Sequence, residues 1–295
     1  MEISTETQAK LDKLYAKIDE LVPPKMSVRL KPSRAKNISV FESKMGGVPY
    51  FPKNMEYPTV REGEFAGRPL FFLAQLNFGK LPKLEGFPTE GILQFFAGCV
   101  DDDVYGMDVW GSTNQNGFRV IYHENVITDG GQLYSEDDMP DFGEGEEYLP
   151  FNGEFLLNAE AAAPVRVTAC DYRFDSAAAK AFNEVFGGDV VGMWGNNDGD
   201  GINDVDDELS EALWEVAETG TRMGGYPFFT QNDVRKEGSP FEIMLFQSDS
   251  ENGGTDESWD DEICWGDAGV ANFFISAEDL KKRDFSNVLY NWDCG

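Results

Sequence analysis

From Asn196 to Asp207 the chain reads N-N-D-G-D-G-I-N-D-V-D-D, with oxygen-bearing side chains recurring at nearly every second position. Asn196, Asp198, Asp200, Asp204 and Asp207 stand at positions 1, 3, 5, 9 and 12 of this loop, and Ile202 at position 7 offers a carbonyl. Gly201, at position 6, permits the sharp turn such a loop needs. Ca2+ takes roughly 6–8 oxygens at about 2.3–2.6 Å in a forgiving geometry, and this spacing supplies them. These six residues are therefore the candidate metal ligands, with Ca2+ the expected ion. Mg2+ is the alternative, because Asp207 replaces the usual bidentate Glu. The competing reading is a solvated Asp-Gly turn without an ion.

The spacing resembles the calcium loops of dockerins and thrombospondin type 3 repeats more closely than a standard EF-hand, departing from both in having Asn at position 1. Asp206 to Glu218 (DDELSEALWEVAE) is amphipathic, with acids in the first turn where the helix dipole favours them, so a helix leaves the loop. The stretch from Gly187-Gly188 to Gly195 offers no entering helix, which argues against a complete EF-hand. Two more helices are expected. Thr5 to Val22 places Leu11, Leu14, Tyr15, Ile18 and Leu21 at helical spacing and stops at Pro23-Pro24, and Asp175-Ser176 can cap an Ala-rich helix running to Phe186.

The rest of the chain is organised by a repeat. Lys44-Met-Gly-Gly-Val-Pro-Tyr-Phe51 matches Arg222-Met-Gly-Gly-Tyr-Pro-Phe-Phe229; LFFLAQLN (70–77) matches EIMLFQSD (242–249), aligning Leu73 with Leu245 and Gln75 with Gln247; GILQFF (91–96) matches GVANFF (269–274). Three motifs in the same order predict two duplicated halves about a pseudo-twofold axis. The paired glycines predict positive φ or close backbone approach, and the following proline predicts a turn into an edge strand. The short apolar runs predict strands buried on both faces, as does FRVIYHEN (118–125), and the interrupting Gln75 and Gln247 must find partners for their amides. The expected fold is α+β: a large twisted, mostly antiparallel sheet built from the two halves, with an N-terminal helix and a few peripheral helices. The expected divisions are 1–22 (N-terminal helix), 23–150 (first half), 151–220 (helical connector with the acidic loop) and 221–295 (second half).

Composition narrows the partners. Among 295 residues, 24 Lys and Arg face 54 Asp and Glu, a formal net charge of −30, while 23 Phe and a 41% hydrophobic fraction mark a folded chain. A surface of that sign repels nucleic-acid phosphates and anionic membranes and favours a basic protein or peptide. Cys99, Cys170, Cys264 and Cys294 form no zinc spacing and read as free thiols, and the N-terminus lacks the basic start and apolar run of a signal peptide. A cytoplasmic location is expected, where a weak calcium loop would stand empty or hold Mg2+. The acidic segments Glu136–Glu147 and Asp249–Glu262 lack ligand spacing and are expected to be solvated loops.

SKMGGVPYFP, FLAQLNF and GILQFF, followed by RMGGYPFF, CWGDAGVANFFI and FSNVLYNWDC, resemble the YwqG-like family of soluble bacterial proteins over about Val22 to Gly295. The resemblance implies an α+β fold on a large sheet and a cytoplasmic location, and it implies no established reaction. Gly187 to Asp207 is unlike the family core, so the calcium-type loop reads as an elaboration of this member.

Residues suited to catalysis are scarce. His123 is the sole histidine and falls at the end of a predicted strand, where a core or surface role is the plainer one, and no Walker loop, G-x-S-x-G, H-E-x-x-H or G-x-G-x-x-G is present. Asp267, beside Trp265 and between glycines, suits either a pocket or a self-bonded turn. Lys44 and Arg222, matched in the repeat, suit either an anion or a carboxylate partner. The sequence therefore favours a non-catalytic binding protein, such as an immunity-type protein facing a basic partner. The alternative is a carboxylate-based hydrolase acting in an aromatic-lined groove, for which the sequence selects no catalytic pair.

Overall fold

The structure, a computed structural model, describes residues 3–99, 105–107, 113–142, 149–252 and 262–295. The chain divides into two compact units. Unit 1 is Met1–Ser27, Ala163–Thr219 and Gly225–Ser239; unit 2 is Val28–Ala162, Gly220–Gly224 and Pro240–Gly295. In chain order the elements are α1 (Thr5–Leu21), β1 (Lys25–Ala35), β2 (Lys44–Gly46), β3 (Phe71–Asn77), β4 (Ile92–Ala97), β5 (Phe118–His123), β6 (Glu154–Ala159) and β7 (Ala163–Val165). There follow α2 (Phe174–Phe186), α3 (Ile202–Val205), α4 (Asp207–Trp214), β8 (Arg222–Gly224), β9 (Ile243–Asp249), β10 (Glu251–Asn252), β11 (Glu262–Ile263), β12 (Val270–Ile275), α5 (Ala277–Lys282) and β13 (Leu289–Asp293).

Unit 2 is built on a sheet with strand order β13-β12-β9-β8-β1-β6-β2-β3-β4-β5. The order reads the same outward from the central antiparallel pair β1–β6: β2, β3, β4, β5 on one side and β8, β9, β12, β13 on the other. The two arms also share register. Gln75 faces Gln94 across β3–β4, and Gln247 faces Asn272 across β9–β12. Each arm has one bulge, skipping Leu73 between Phe72 and Ala74 in the first and Leu245 between Met244 and Phe246 in the second. The arms meet through aromatic rings. Phe95 of β4 stacks on Phe246 at 4.9 Å and lies 4.8 Å from Phe273, and Phe118 of β5 lies 5.0 Å from Tyr290. These rings are essentially inaccessible and anchor the main core, so β4 and β5 face β9, β12 and β13 across it.

The paired glycines adopt the backbone that their type predicts, Gly46 and Gly47 at φ +63° and +64°, Gly224 and Gly225 at +68° and +80°. A Cβ on Gly46 would overlap the Gly153 carbonyl oxygen, so both conformation and close approach demand glycine there. The strands that precede these turns are internal: β2 lies between β6 and β3, and β8 between β1 and β9. That corrects the expected turn into an edge strand, because each proline falls beyond the glycines and outside the ladder. Strand β1, eleven residues with Pro32 opposite Leu157, escapes the apolar-run criterion because Arg and Lys interrupt it.

Unit 1 is mainly helical. Ser4 caps α1 by accepting the Thr7 amide at 3.0 Å, and Leu14 and Ile18 are completely buried in a core shared with Phe174, Ala178 and Ala181 of α2 and with Leu209 and Leu213 of α4. β7 pairs with Lys25–Ser27 of β1. The expected Asp206–Glu218 helix is observed as α4, which ends at Trp214, while the short α3 precedes it within the acidic loop; between them Asp206 caps α4, its carboxylate accepting the Leu209 amide at 3.2 Å and pairing with Lys10 at 2.8 Å. No described helix is long and apolar enough to cross a membrane. Residues 143–147 and 253–261 of the two acidic segments lie outside the described residues.

Candidate ligand-binding cleft

A cleft of about 560 Å³ opens within unit 1 between the turn preceding α2, the C-terminal end of α4 and residues 228–233. Its walls are built from the sequence outward. The Asp171 amide donates to the Thr168 carbonyl at 3.0 Å and the Phe174 amide to the Asp171 carbonyl at 2.9 Å, a tight turn that starts α2. Asp175 caps no helix, contrary to expectation; its Oδ1 accepts the Met193 amide at 2.7 Å. A Cβ on Gly192 would stand 2.7 Å from the Asp175 carboxylate, so glycine is what lets the 192–194 backbone approach.

The 196–207 loop holds the other side of that backbone. Ile202 is fully buried, its amide donates to Gly192 and that of Asn203 to Met193, at 3.0 and 3.1 Å. The loop thereby fixes Trp194, which lies 6.0 Å from Trp214 with the rings tilted at 69°. An edge-to-face pair of this kind is favourable in itself. Both indoles are nevertheless more than half exposed, 55% and 56%. Burying such area against a ligand is more favourable than leaving it in water, and both indoles line the cleft.

Beneath the aromatic rim is a closed ionic network. Arg235, 1% exposed, spans Asp171 and Asp233 at 2.9 and 2.7 Å. Asp171 also accepts Arg173 Nη1 on both oxygens at 2.9 Å, and Asp233 accepts the amides of Tyr172 at 3.1 Å and Arg235 at 2.9 Å. Burial works against the charge on Arg235, and the hydrogen bonds and charges of Asp233 and Asp171 more than reverse it, raising its pKa. Both guanidinium groups sit over Tyr172, at 4.3 Å for Arg173 and 5.4 Å for Arg235.

The six predicted metal ligands are not gathered to one point. Asn196 Oδ1 accepts the Asp198 amide at 2.7 Å, Asp204 Oδ2 accepts the Gly201 amide at 2.8 Å and caps α3, and the Ile202 carbonyl accepts the Asp206 amide at 2.7 Å. Asp198, Asp200 and Asp207 are exposed. Among the described residues, no group of three or more His, Cys, Asp or Glu is placed to hold a metal ion.

The other candidates from sequence lie in unit 2 and are engaged structurally. His123 is buried beside Tyr50, with Nε2 donating to Gln94 Oε1 at 2.7 Å, and burial pushes its pKa down to about 4. Lys44, 1% exposed, pairs with Glu154 and donates to the Ile38 carbonyl, both at 3.2 Å, which leaves the carboxylate-partner reading in place of an anion site. Asp267 lies in an exposed turn. The sequence reading passed over Trp194, Trp214 and the Asp171–Arg235–Asp233 network. One signal was present: on α4 the buried residues are Leu209, Ser210, Ala212 and Leu213, which turns Trp214 toward solvent on an amphipathic helix.

No curated protein matches the chain. Residues 43–294 match the family model described as a domain of unknown function, DUF1963. That match takes in the repeated motifs and the cleft-bearing segments 169–175, 193–214 and 228–233, and by it this chain belongs to the DUF1963 family.

Proposed function

We propose that this protein binds its ligand without transforming it, and that the aromatic cleft of unit 1 is the binding site. The observation that carries this reading is the engagement of the acids in the cleft wall: Asp171 and Asp233 by Arg235, and Asp175 by a backbone amide. Carboxylate-based hydrolysis needs one carboxyl poised to give a proton and a second free to attack or activate water. In this wall the carboxylates are already engaged by protein donors. On charge grounds the ligand is a basic protein or peptide, and an immunity-type role and a cytoplasmic location belong to the same proposal. Calorimetric titration with basic peptides, run beside a panel of chromogenic glycosides, separates the alternatives. Saturable heat with no product is expected; turnover lost in Asp175→Asn would establish the hydrolase instead.

The palindromic strand order, the shared register and the matched bulges support a duplication in which the two arms of unit 2 are copies. The YwqG-like resemblance is part of this reading. A Ca2+ or Mg2+ site at Asn196, Asp198, Asp200, Ile202, Asp204 and Asp207 rests on sequence spacing alone. A free ion concentration near a hundred times the Kd would add about 2.7 kcal/mol. A melting temperature that rises in millimolar calcium, and fails to rise in Asp200→Ala, is the expected outcome; indifference to calcium and chelator removes the site.

A further inference from the structure

Resting on the reading of the cleft as a binding site, we propose that what it recognises is a lysine or arginine side chain of a basic protein segment, seated on the indole faces of Trp194 and Trp214. Three observations converge on a cation. From Asp189 to Glu218, the segment that carries both tryptophans, the sequence has ten Asp and Glu and no Lys, Arg or His. An arriving cation meets an attractive field there before it meets the rings.

The second observation is how unit 1 treats its other aromatic rings. Tyr172 lies beneath Arg173 and Arg235, and Tyr226 lies 4.9 Å from the Lys25 ammonium and 6.0 Å from Arg173. Tyr15 carries Arg166 at 4.8 Å. Three tyrosines of this unit are thus satisfied by cations of the chain itself. Among the described residues, no cation of the chain lies over Trp194 or Trp214, although indole is the ring with the strongest attraction for one.

The third is geometry. At 6.0 Å and 69° the two indoles present one face and one edge toward each other, and both stay more than half exposed. A lysine or arginine stem can lie along that apolar area while its charged head stays in water within the field of the acidic segment. A neutral apolar ligand would use the rings and gain nothing from the ten acids. An anionic one would be repelled.

The test is calorimetric titration of the full chain with a short peptide of alternating lysine and glycine, the same peptide with its lysines acetylated, and a neutral cello-oligosaccharide. Binding of the first alone is expected. It should weaken about tenfold or more in Trp194→Ala and in Trp214→Ala, the equivalent of ~1.4 kcal/mol of cation–π attraction, with partial retention in the Trp→Phe variants, whose rings hold cations less strongly. Unchanged circular dichroism of the variants confirms that the loss is local. Equal affinity for the acetylated peptide, unchanged binding in both tryptophan variants, or no binding of the lysine peptide overturns the proposal. Binding of the oligosaccharide, lost in the same variants, also overturns it while leaving the cleft as the binding site. Binding of any probe unaffected by both variants removes the cleft as well.

Discussion

The two M-G-G segments begin alike and end in opposite environments. After Gly47 the chain returns over its own sheet and seals it: Tyr50 and Phe51 are fully buried, the Tyr50 amide donates to Gln75 Oε1 at 2.9 Å, and its carbonyl accepts Gln94 Nε2 at 2.6 Å. The Tyr50 hydroxyl is a third fastening, accepting the Ile127 amide at 2.8 Å. After Gly225 the corresponding position is Phe228, which has no hydroxyl and lines the cleft. One turn motif thus serves a closed polar core in one place and an open aromatic wall in another. Backbone demand fixed the glycines in both, and a single oxygen separates the residue that fastens from the residue that lines.

That contrast can be broken most forcefully at the glycines. Gly46→Ala forces a Cβ onto a backbone carbonyl that cannot move, in addition to the roughly 1–3 kcal/mol of an L-residue at positive φ. A loss above ~3 kcal/mol by denaturant melting is expected. At Gly225 the nearest atoms are Val165 Cγ2 at 2.7 Å and Ser27 Cβ at 2.9 Å, a looser approach than that of the Gly153 carbonyl oxygen at Gly46, so Gly225→Ala should cost less. Equal losses would mean that the two turns are held in the same way.

The closed arm should also announce itself by pH. His123 has a folded pKa of about 4 against an ordinary 6.5, because burial disfavours its cation. The neutral ring's contribution is complete above about pH 6.5 and is lost as pH falls from there through 4, a swing on the order of 3 kcal/mol. His123→Gln should flatten the stability profile in that window, and an unchanged slope would place the buried titration elsewhere. Tyr50→Phe, which introduces the residue type found at the matched position 228, should cost about 0.5–1.5 kcal/mol through the Ile127 amide. Smallest of all in stability are Trp194→Ala and Trp214→Ala, expected within ~1 kcal/mol of the parent by melting because their outer faces are already in water.

Much of unit 2 was legible because its signals are local. The apolar runs gave β3, β4, β5, β9 and β12, the glycines gave their own φ, and the matched Gln75 and Gln247 located the buried polar positions. β1 and β6 stayed hidden since their burial is decided by partners distant in sequence, Leu30 facing Ala159 and Ala35 facing Glu154. The cleft was harder still. Asp171, Arg235 and Asp233 become a network only when the chain brings position 171 to 233, and nothing in either neighbourhood signals the meeting. The acidic loop was visible as a sequence, yet what its fold shows is Ile202 anchoring the strand of backbone that presents Trp194.

The central claim, that the exposed tryptophan pair of unit 1 is where a cationic ligand lands, is tested most directly by following the indole N–H resonances of the six tryptophans during titration with the lysine–glycine peptide, assigned through single Trp→Phe variants. Saturable shifts concentrated on Trp194 and Trp214 are expected, with the buried Trp265 and Trp292 unmoved. Shifts that fall on other tryptophans while Trp194 and Trp214 stay still, or no shifts at all, would contradict it.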